Sequence, residues 1–364
     1  AFANTCTVSF RAVSLSLDVS SNIEEQARMA RYEAFADMMT EYDCLLLGHH
    51  GDDQAETLML QLLRGAGVDG LSAMASLQSF RQGMMARPFL THKRQVIYQY
   101  ALDECLGWVE DESNLSPAYS RNFLRHHVFP LLQNKWPGFE NCLQQSASHC
   151  REASQNLLDL ALLDCPQLAN QDNSLDLCFI AKLPMHRLKN VIRTWLKINK
   201  IQLPTASTFK RIMTEVIAAK KDALPVVEWN TVQIRRYQKR LYLVDKSTLC
   251  LSRQAISWTH FPSPLFLNTQ ETLTAVAVTK GLMLPAGAKV DIRYRQGGEQ
   301  LVWHRQTKSL KKLFQTWQIP PWRRESIPLL YVNDALAAVV GYAVSDHFWG
   351  EGSAYKIVAS SERQ

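Results

Sequence analysis

The sequence lacks any apolar run of about 18 residues, so it offers no candidate for a membrane-spanning helix. Its first residues, Ala-Phe-Ala-Asn-Thr-Cys, lack the charged start and apolar stretch of a signal peptide. No two of its eight cysteines have the Cys-x-x-Cys spacing, so neither a zinc ribbon nor an iron–sulfur site is indicated. Scattered cysteines of this kind fit a reducing compartment. We therefore expect a cytoplasmic protein without a membrane partner.

The chain also lacks a strong charge bias. Its 364 residues carry a formal charge of +6, with a pI near 8.8. This mild basic excess permits an anionic partner but does not require one. The length is sufficient for two or three domains.

The most informative stretch is an apolar run that leads into histidines and acids. Leu45–Leu47 is too short for a core helix but predicts a parallel strand that is covered on both faces, and Gly48 lets the backbone turn at its carboxyl end. Ligands bind at that end of strands in open α/β sheets. From about Asp52 the apolar spacing becomes helical, and Gly65 ends the helix.

Ionisable side chains gather at the start of this predicted helix. Asp53 and Glu56 are three residues apart and share a face, and His49 precedes them by about one turn. Three interpretations are open for this cluster. The acids, including Asp52, are favoured structurally near a helix N-terminus. Alternatively, His49, His50, Asp52 and Asp53 offer ligands for a divalent metal in a hydrolase. We favour a pocket for a cationic or Mg²⁺-bound substrate.

The residues before this stretch predict another strand and helix. Val8–Leu17 alternates apolar and polar residues as a strand does, and Ser20–Glu25 is typical of a capped helix start. Together with the following elements, the order is strand, helix, strand, helix. This order predicts one βαβα unit of a parallel sheet.

A pair of arginines follows the acidic loop at residues 110–114. Ser116 is a predicted N-cap with Pro117 at the first helical position, which places Arg121 and Arg125 four apart on one helical face. Two guanidinium groups on one face are suited to binding a phosphate. The alternative is a solvated face, or one that forms salt bridges with residues 110–112.

The second half of the chain contains several basic segments. Residues 226–244 predict a hairpin around Asn230–Thr231 whose second strand carries Arg235 and Arg236, either as a solvated face or as a nucleic-acid contact. Residues 252–284 contain Pro262 and Pro264 and predict a linker. From about residue 290 a small module carries a predicted basic helix over residues 308–317. The densest positive patch, predicted to contact phosphates, consists of Lys308, Lys311, Lys312, Arg323 and Arg324.

Many separate motifs, in order, resemble the tRNA(Ile)-lysidine synthetases of the N-type ATP pyrophosphatase group. They cover nearly the whole chain: Gly48-His-His-Gly-Asp-Asp-Gln-Ala-Glu-Thr57, Leu62-Leu-Arg-Gly-Ala-Gly67, Gly70-Leu-Ser-Ala-Met74, Ala86-Arg-Pro-Phe-Leu90, Trp108-Val-Glu-Asp-Glu-Ser-Asn114, Arg121-Asn-Phe-Leu-Arg125, Pro130-Leu-Leu132, Leu310-Lys-Lys-Leu-Phe314, Ile319-Pro-Pro-Trp322 and Ile327-Pro-Leu-Leu330.

The resemblance implies an α/β fold in several parts. A parallel-sheet domain of the adenine nucleotide α-hydrolase type is expected over residues 1–135. A mainly helical tRNA-binding domain is expected over 136–250, a linker over 251–288, and a small α+β domain over 289–364. The Ser-Gly-Gly-x-Asp-Ser loop that holds ATP phosphates in this group does not occur, and the only Gly-Gly pair is Gly297-Gly298. We therefore expect the catalytic domain to be truncated at its N-terminus.

The resemblance also implies a reaction. ATP activates the C2 oxygen of the wobble cytidine in the CAU anticodon of tRNA(Ile), L-lysine displaces it to form lysidine, and codon recognition changes from AUG to AUA. Asp53 and Glu56 would bind lysine, His49 and Asp52 would lie in the same catalytic pocket, and Mg²⁺ would accompany ATP. Arg121 and Arg125 would contact phosphate or tRNA.

Three alternatives to this reaction are a tRNA cytidine-thiolating relative, a metal-dependent phosphohydrolase and a non-catalytic tRNA-binding protein. The thiolating relative would be expected to carry a paired cysteine motif, and none is present. A homodimer is a further expectation.

Overall fold

A computed structural model describes residues 2–16, 23–110, 119–170, 173–220, 223–249, 254–268 and 271–361. The chain divides into two compact units, unit 1 (residues 1–166) and unit 2 (residues 167–364). In the described ranges, no helix combines the length and apolar character needed to cross a membrane.

Unit 1 consists mainly of helices, with one small sheet. Its helices are α1 (Phe2–Thr5), α2 (Ile23–Met38), α3 (Gly51–Leu63), α4 (Val68–Leu71), α5 (Arg94–Asp103), α6 (Ser120–Phe123), α7 (Phe129–Lys135) and α8 (Phe139–Asp164), with a π-helical turn at Leu124–Val128 between α6 and α7. Its strands are β1 (Cys44–Leu46), β2 (Leu77–Phe80) and β3 (Gly83–Ala86).

The unit 1 sheet has the order β1-β3-β2, with β1 parallel to β3 and β2 antiparallel to it. The predicted strand before α3 is confirmed, but the prediction that it is covered on both faces is wrong. Leu46 is 66% exposed, and Leu45 and Leu47 are only partly buried. An apolar run favours burial, yet burial also needs a packing layer, and none of the described elements of unit 1 covers Leu46.

The predicted strand at Val8–Leu17 is also wrong for residues 8–16, which have no regular secondary structure; Leu17 lies outside the described residues. Val8 and Phe10 are 57% and 79% exposed. Alternation alone does not make a strand, because a strand needs a partner for its backbone hydrogen bonds. Residues 23–38 form the predicted helix, whereas its predicted cap at 20–22 lies outside the described residues.

The core of unit 1 lies beside α3. Ala55 packs with Leu124, Phe129 and Phe139 from the segments that follow along the chain. The long helix α8 contributes Phe139 and belongs to unit 1, although the predicted middle domain begins at residue 136. This packing fixes α3 and the π-helical turn against each other.

Unit 2 is rich in antiparallel sheet. Its helices are α9 (Leu177–Ile180), α10 (Met185–Ile198), α11 (Ala206–Arg211), α12 (Lys246–Leu249), α13 (Leu310–Thr316) and α14 (Pro321–Arg324), with a 3₁₀ turn at Pro166–Asn170 at the unit boundary and a π-helical turn at Ile212–Ile217. Its strands are β4 (Ser174–Asp176), β5 (Val226–Trp229), β6 (Val232–Tyr237), β7 (Arg240–Asp245), β8 (Ile256–Ser257), β9 (Leu265–Phe266), β10 (Glu271–Leu282), β11 (Val290–Arg293), β12 (Gln300–Trp303), β13 (Gln306–Ser309), β14 (Leu329–Val332), β15 (Ala335–Val339), β16 (Ala343–Val344) and β17 (Trp349–Ser361).

These strands form sheets of order β4-β7-β6-β5, β16-β15-β14-β11-β8, β17-β10-β9 and β12-β13. The predicted turn at Asn230–Thr231 is confirmed, with Trp229 opposite Val232 and Asn230 at a φ of +48°. The predicted second strand is in fact two strands, because the chain turns again at Gln238, whose φ is +54°.

The predicted linker at 251–288 instead contributes β8, β9 and β10. The 12-residue β10 pairs along its length with β17, so its partner lies about 80 residues further along the chain. Pro262 and Pro264 indicate only the local break in regular structure, and they give no information about strand pairing with a segment this distant in sequence. Lys308 likewise lies on β13, opposite Leu301, rather than on the predicted basic helix, which begins at Leu310.

Candidate active site

The candidate site lies where β1 leads into α3. His50 is the N-cap residue of α3, and the Gly51 N–H donates a hydrogen bond to the His92 carbonyl oxygen over 2.8 Å. Space is tight here, because a Cβ on Gly51 would lie 3.1 Å from that oxygen. Gly51 therefore lets residues 48–53 approach the segment before α5. The amino end of α3, where the helix dipole favours negative charge, carries the acidic cluster.

Glu56 is the most buried member of the cluster, with 1% of its surface exposed. Its Oε1 accepts a hydrogen bond from Arg125 Nε over 2.7 Å, whereas its buried Oε2 has no hydrogen-bond partner. Burial raises the pKa of Glu56 above its ordinary value, although Arg125 opposes this shift. A buried acceptor without a partner is costly, which makes this oxygen a strong candidate to meet a ligand donor.

Asp53 lies on the same face of α3 as Glu56, as predicted. Its Oδ2 accepts a hydrogen bond from the His50 backbone N–H over 3.0 Å, and its Oδ1 lies 3.4 Å from Arg125 Nη2. Arg125 therefore bridges the two carboxylates. Burial lowers the pKa of Arg125, but the Glu56 hydrogen bond and the nearby acids outweigh burial, so the net shift is upward.

Asp52 makes different contacts from Asp53 and Glu56. Its Oδ1 accepts a hydrogen bond from the Arg94 backbone N–H over 3.2 Å and lies 3.9 Å from His50 Nδ1. Arg94 begins α5, so Asp52 joins the amino ends of α3 and α5. This contact holds the two helix ends together.

His49 immediately precedes the N-cap and is partly buried, and its Nδ1 has no hydrogen-bond partner. Burial lowers the pKa of His49 below its ordinary value, against the attraction of Asp53. The imidazole is therefore neutral at physiological pH, and it lies near the acidic cluster as predicted.

The two predicted arginines both reach α3. Arg121 Nη2 donates a hydrogen bond to Thr57 Oγ1 over 3.0 Å, next to the contact between Arg125 and Glu56. The four-residue interval between them runs from α6 into the π-helical turn, a distortion that often occurs at functional sites. Their predicted N-cap, Ser116, lies outside the described residues. Binding of phosphate by Arg121 and Arg125 stays a prediction.

Sequence reasoning missed the polar residues that hold the loop beyond α4. The side-chain amide of Gln54 exchanges two 2.9 Å hydrogen bonds with the backbone of Met74, and Arg151 donates a hydrogen bond to the Met74 carbonyl oxygen over 2.8 Å. Arg87, 5% exposed, donates a hydrogen bond to the Ala75 carbonyl oxygen over 2.7 Å. Arg87 lies within a motif quoted above, but nothing local indicates that it is buried.

In the described parts of the chain, no group of three or more His, Cys, Asp or Glu side chains is arranged to hold a metal ion.

Three family models match successive parts of the chain. They are described as a PP-loop domain (residues 1–132), a TilS substrate binding domain (175–242) and a TilS substrate C-terminal domain (290–359). A tRNA(Ile)-lysidine synthase of Legionella pneumophila (strain Lens) is 51% identical over 343 residues, which cover 94% of this chain and 79% of that protein. The chain belongs to the tRNA(Ile)-lysidine synthase family. The predicted family and fold class are thereby confirmed.

More distant members of the tRNA(Ile)-lysidine synthase family also match along most of the chain. The Coxiella burnetii protein is 40% identical over 347 residues, 93% of this chain and 76% of that protein. The Photobacterium profundum protein is 37% identical over 357 residues, 96% of this chain and 81% of that protein. The acidic cluster lies within the matched PP-loop domain.

The positive patch of unit 2 that is predicted to contact phosphates lies within the matched C-terminal domain. Lys311 and Lys312 are exposed on α13, and Lys308 Nζ lies 5.2 Å from the centre of the Trp303 ring. Arg323 is exposed and lies over Tyr242 at 5.8 Å.

The basic hairpin contributes a structural contact as well. Arg235 lies over Trp322 at 5.2 Å, so part of this positive charge is packed on aromatic rings within unit 2.

Proposed function

We propose that this chain catalyses the ATP-dependent joining of L-lysine to the wobble cytidine of the CAU anticodon of tRNA(Ile), forming lysidine. The observation that carries the proposal is the pair of carboxylates at the amino end of α3, the buried Glu56 and the partly buried Asp53, bridged by Arg125 inside a PP-loop domain. Family membership supports the reaction class and a tRNA substrate. We place the reaction in the cytoplasm; the homodimer stays a prediction.

Asp53 and Glu56 bind the lysine substrate in this proposal. The support is that Glu56 Oε2 is buried without a partner while Arg125 holds Oε1, so an ammonium group would complete the hydrogen bonding. The attacking amine must lose its proton before it bonds to C2 of the cytosine. Glu56, whose pKa burial raises, is suited to accept that proton.

His49 lies in the same pocket and, as a neutral imidazole, accepts or donates a hydrogen bond without adding positive charge beside the ammonium. Arg121 and Arg125 contact the nucleotide phosphate or the tRNA backbone. The base must leave its stack to reach the pocket, which an anticodon loop permits.

ATP and Mg²⁺ complete the proposal. Asp52 suits Mg²⁺, because the ion prefers oxygen ligands and Asp52 is the more exposed aspartate of the cluster, at 27% against 13% for Asp53. When bound, the ion would neutralise phosphate charge. In unit 2, Lys308, Lys311, Lys312 and Arg323 contact tRNA phosphates.

The test measures transfer of labelled lysine to a tRNA(Ile) transcript with a CAU anticodon, using the full-length protein and ATP. Asp53→Asn should abolish transfer and leave tRNA binding nearly unchanged. Asp103→Asn is the matched control, because Asp103 is an exposed residue of α5 whose Oδ1 accepts a hydrogen bond from Gln99. Transfer by Asp53→Asn at the wild-type rate would remove the role assigned to Asp53.

A further inference from the structure

Unit 2 contains a cavity of about 380 Å³ between β10, β17 and the segment that includes β15 and β16. Its walls include the buried side chains of Leu282, Val340 and Ile357. Two aromatic residues that line it, Tyr342 and Trp349, are 48% and 54% exposed. The cavity therefore has an apolar interior and aromatic residues that face solvent.

Breaks in the pairing of β10 with β17 shape this cavity. The register shifts between Val278 and Lys280 and again between Gly281 and Leu282. Gly281 is required at this bend, because a Cβ there would lie 2.7 Å from the Tyr355 carbonyl oxygen. Bulges of this kind bend a strand and often adjoin functional sites.

The charges at the cavity favour an anion. Lys280 forms an ion pair with Glu351 over 2.6 Å. Lys356 also lines the cavity and is exposed, and it has no ion-pair partner among the described residues. Within the part of the chain that the structure describes, one positive charge next to an apolar interior is therefore left for a ligand.

The aromatic side is held in place by its neighbours. The Tyr342 ring is stacked on Trp317, with centres 5.4 Å apart and planes 21° apart. Trp317 in turn packs against Trp303, and Lys308 Nζ lies 5.2 Å from the centre of the Trp303 ring. A connected row of rings thus leads from the cavity to a lysine of the predicted phosphate-binding patch.

We propose that this cavity binds one unpaired RNA nucleotide, with its base against Tyr342 and Trp349 and its phosphate near Lys356. Bases stack on exposed aromatic rings irrespective of sequence, and an adjacent lysine attracts the backbone. The inference rests on the proposed function only in taking RNA as the partner. It adds a contact to a single-stranded part of that RNA, separate from the acidic cluster of unit 1.

The test compares a blunt RNA hairpin with the same hairpin bearing a four-nucleotide single-stranded overhang. Binding to the full-length protein is measured by fluorescence anisotropy without ATP or lysine. The overhang should tighten binding about tenfold, within the range for one stacked base. Trp349→Ala should remove that gain. The matched control is Phe266→Ala, which removes a 73% exposed aromatic from the same sheet outside the cavity.

Two charge variants sharpen the test. Lys356→Gln should weaken binding of the overhang hairpin. It should also lower the slope of log Kd against log salt concentration by about one unit, because one fewer counterion is released. Glu351→Gln should strengthen that binding, because it releases Lys280 and removes a negative charge. If these residues only packed against their neighbours, neither the weaker binding of Lys356→Gln nor the stronger binding of Glu351→Gln would be expected. Thermal unfolding of each variant verifies that it is folded.

An overhang gain that persists in Trp349→Ala would overturn the proposal. So would a change in sedimentation of the RNA-free protein in Trp349→Ala, because the cavity would then be an interface between copies of the chain. Failure of lysine transfer leaves this binding result standing, so the two proposals fail separately.

Discussion

Leu46 in unit 1 and Leu330 in unit 2 are both leucines on strands, but Leu46 is 66% exposed and Leu330 is fully buried. Unit 2 encloses apolar clusters between its sheets and α13. In the described part of unit 1, the contacts around α3 combine a small apolar cluster with the buried ion pair of Glu56 and Arg125. Because its apolar cluster is small, unit 1 also depends on this ion pair for stability. The polar cluster of unit 1 therefore has a structural role as well as a chemical one.

The largest effect is expected from Glu56→Ala. It leaves Arg125 without its main partner, so it should destabilise unit 1 by about 3 kcal/mol and abolish lysine transfer. Urea unfolding and the transfer assay measure the two effects. Glu56→Gln, which keeps the shape, is the control: it should lose transfer but retain more stability. Unchanged stability of Glu56→Ala would show that the ion pair does not support unit 1.

Leu330→Ala should cost about 3 kcal/mol in unit 2, because it opens a cavity in a closed core. The loss should appear as a lower urea midpoint, with lysine affinity unchanged in conditions where the protein is folded. A cost below about 1 kcal/mol would contradict the contrast between the two units.

Lys311→Ala should weaken tRNA binding a few-fold and lower the slope of log Kd against log salt concentration by about one unit. Arg211→Ala is the control, because Arg211 is also exposed on a unit 2 helix but already pairs with Glu215 over 2.9 Å. Equal slopes for the wild-type protein and Lys311→Ala would remove Lys311 from the tRNA contact.

His49 makes a smaller contribution to the stability of unit 1 than Glu56 does, and this contribution depends on pH. Burial holds its folded pKa below the ordinary 6.5, so the unfolded chain binds the proton more tightly. The free energy of unfolding should therefore fall as pH drops from 6.5 through the lowered pKa. Urea unfolding at pH 7.5 and 5.5 measures this fall, which should be smaller in His49→Gln. An identical fall in that variant would assign it to other groups.

The smallest effect is expected from Leu46→Ala, which should change stability by less than about 0.5 kcal/mol because this leucine is mostly exposed. Urea unfolding of Leu46→Ala and Leu330→Ala under the same conditions compares the two losses of stability directly. A cost as large as that of Leu330→Ala would mean that Leu46 is covered in solution.

Local patterns predicted those features that depend on neighbouring residues. The helix after Gly48, the shared face of Asp53 and Glu56 and the turn at Asn230 follow from spacing and turn chemistry, and the structure contains all three. Local pattern failed at residues 8–16. The alternation of apolar and polar residues predicted a strand there, but this segment has no partner strand among the described residues and forms no regular secondary structure.

Distant contacts account for what local patterns missed in the candidate site. The bridge from Arg125 to Glu56 joins residues 69 apart in the chain, and the two bonds between Gln54 and Met74 join residues 20 apart. Spacing indicated that Arg121 and Arg125 share a face, but not that this face meets the carboxylates. The cavity in unit 2 was missed for the same reason, because it lies between the long β10–β17 ladder and residues 338–344, which are distant in sequence from β10.

The sequence by itself determined the family, the order of the motifs and the residue types at the amino end of α3, because helical periodicity and residue chemistry are local properties. Tertiary structure alone decided which oxygen of Glu56 is held by Arg125, that Leu46 stays exposed and that residues 271–282 pair with the end of the chain. Burial and ion pairing depend on segments that are distant in sequence and meet only in the folded protein, so no local pattern specifies them.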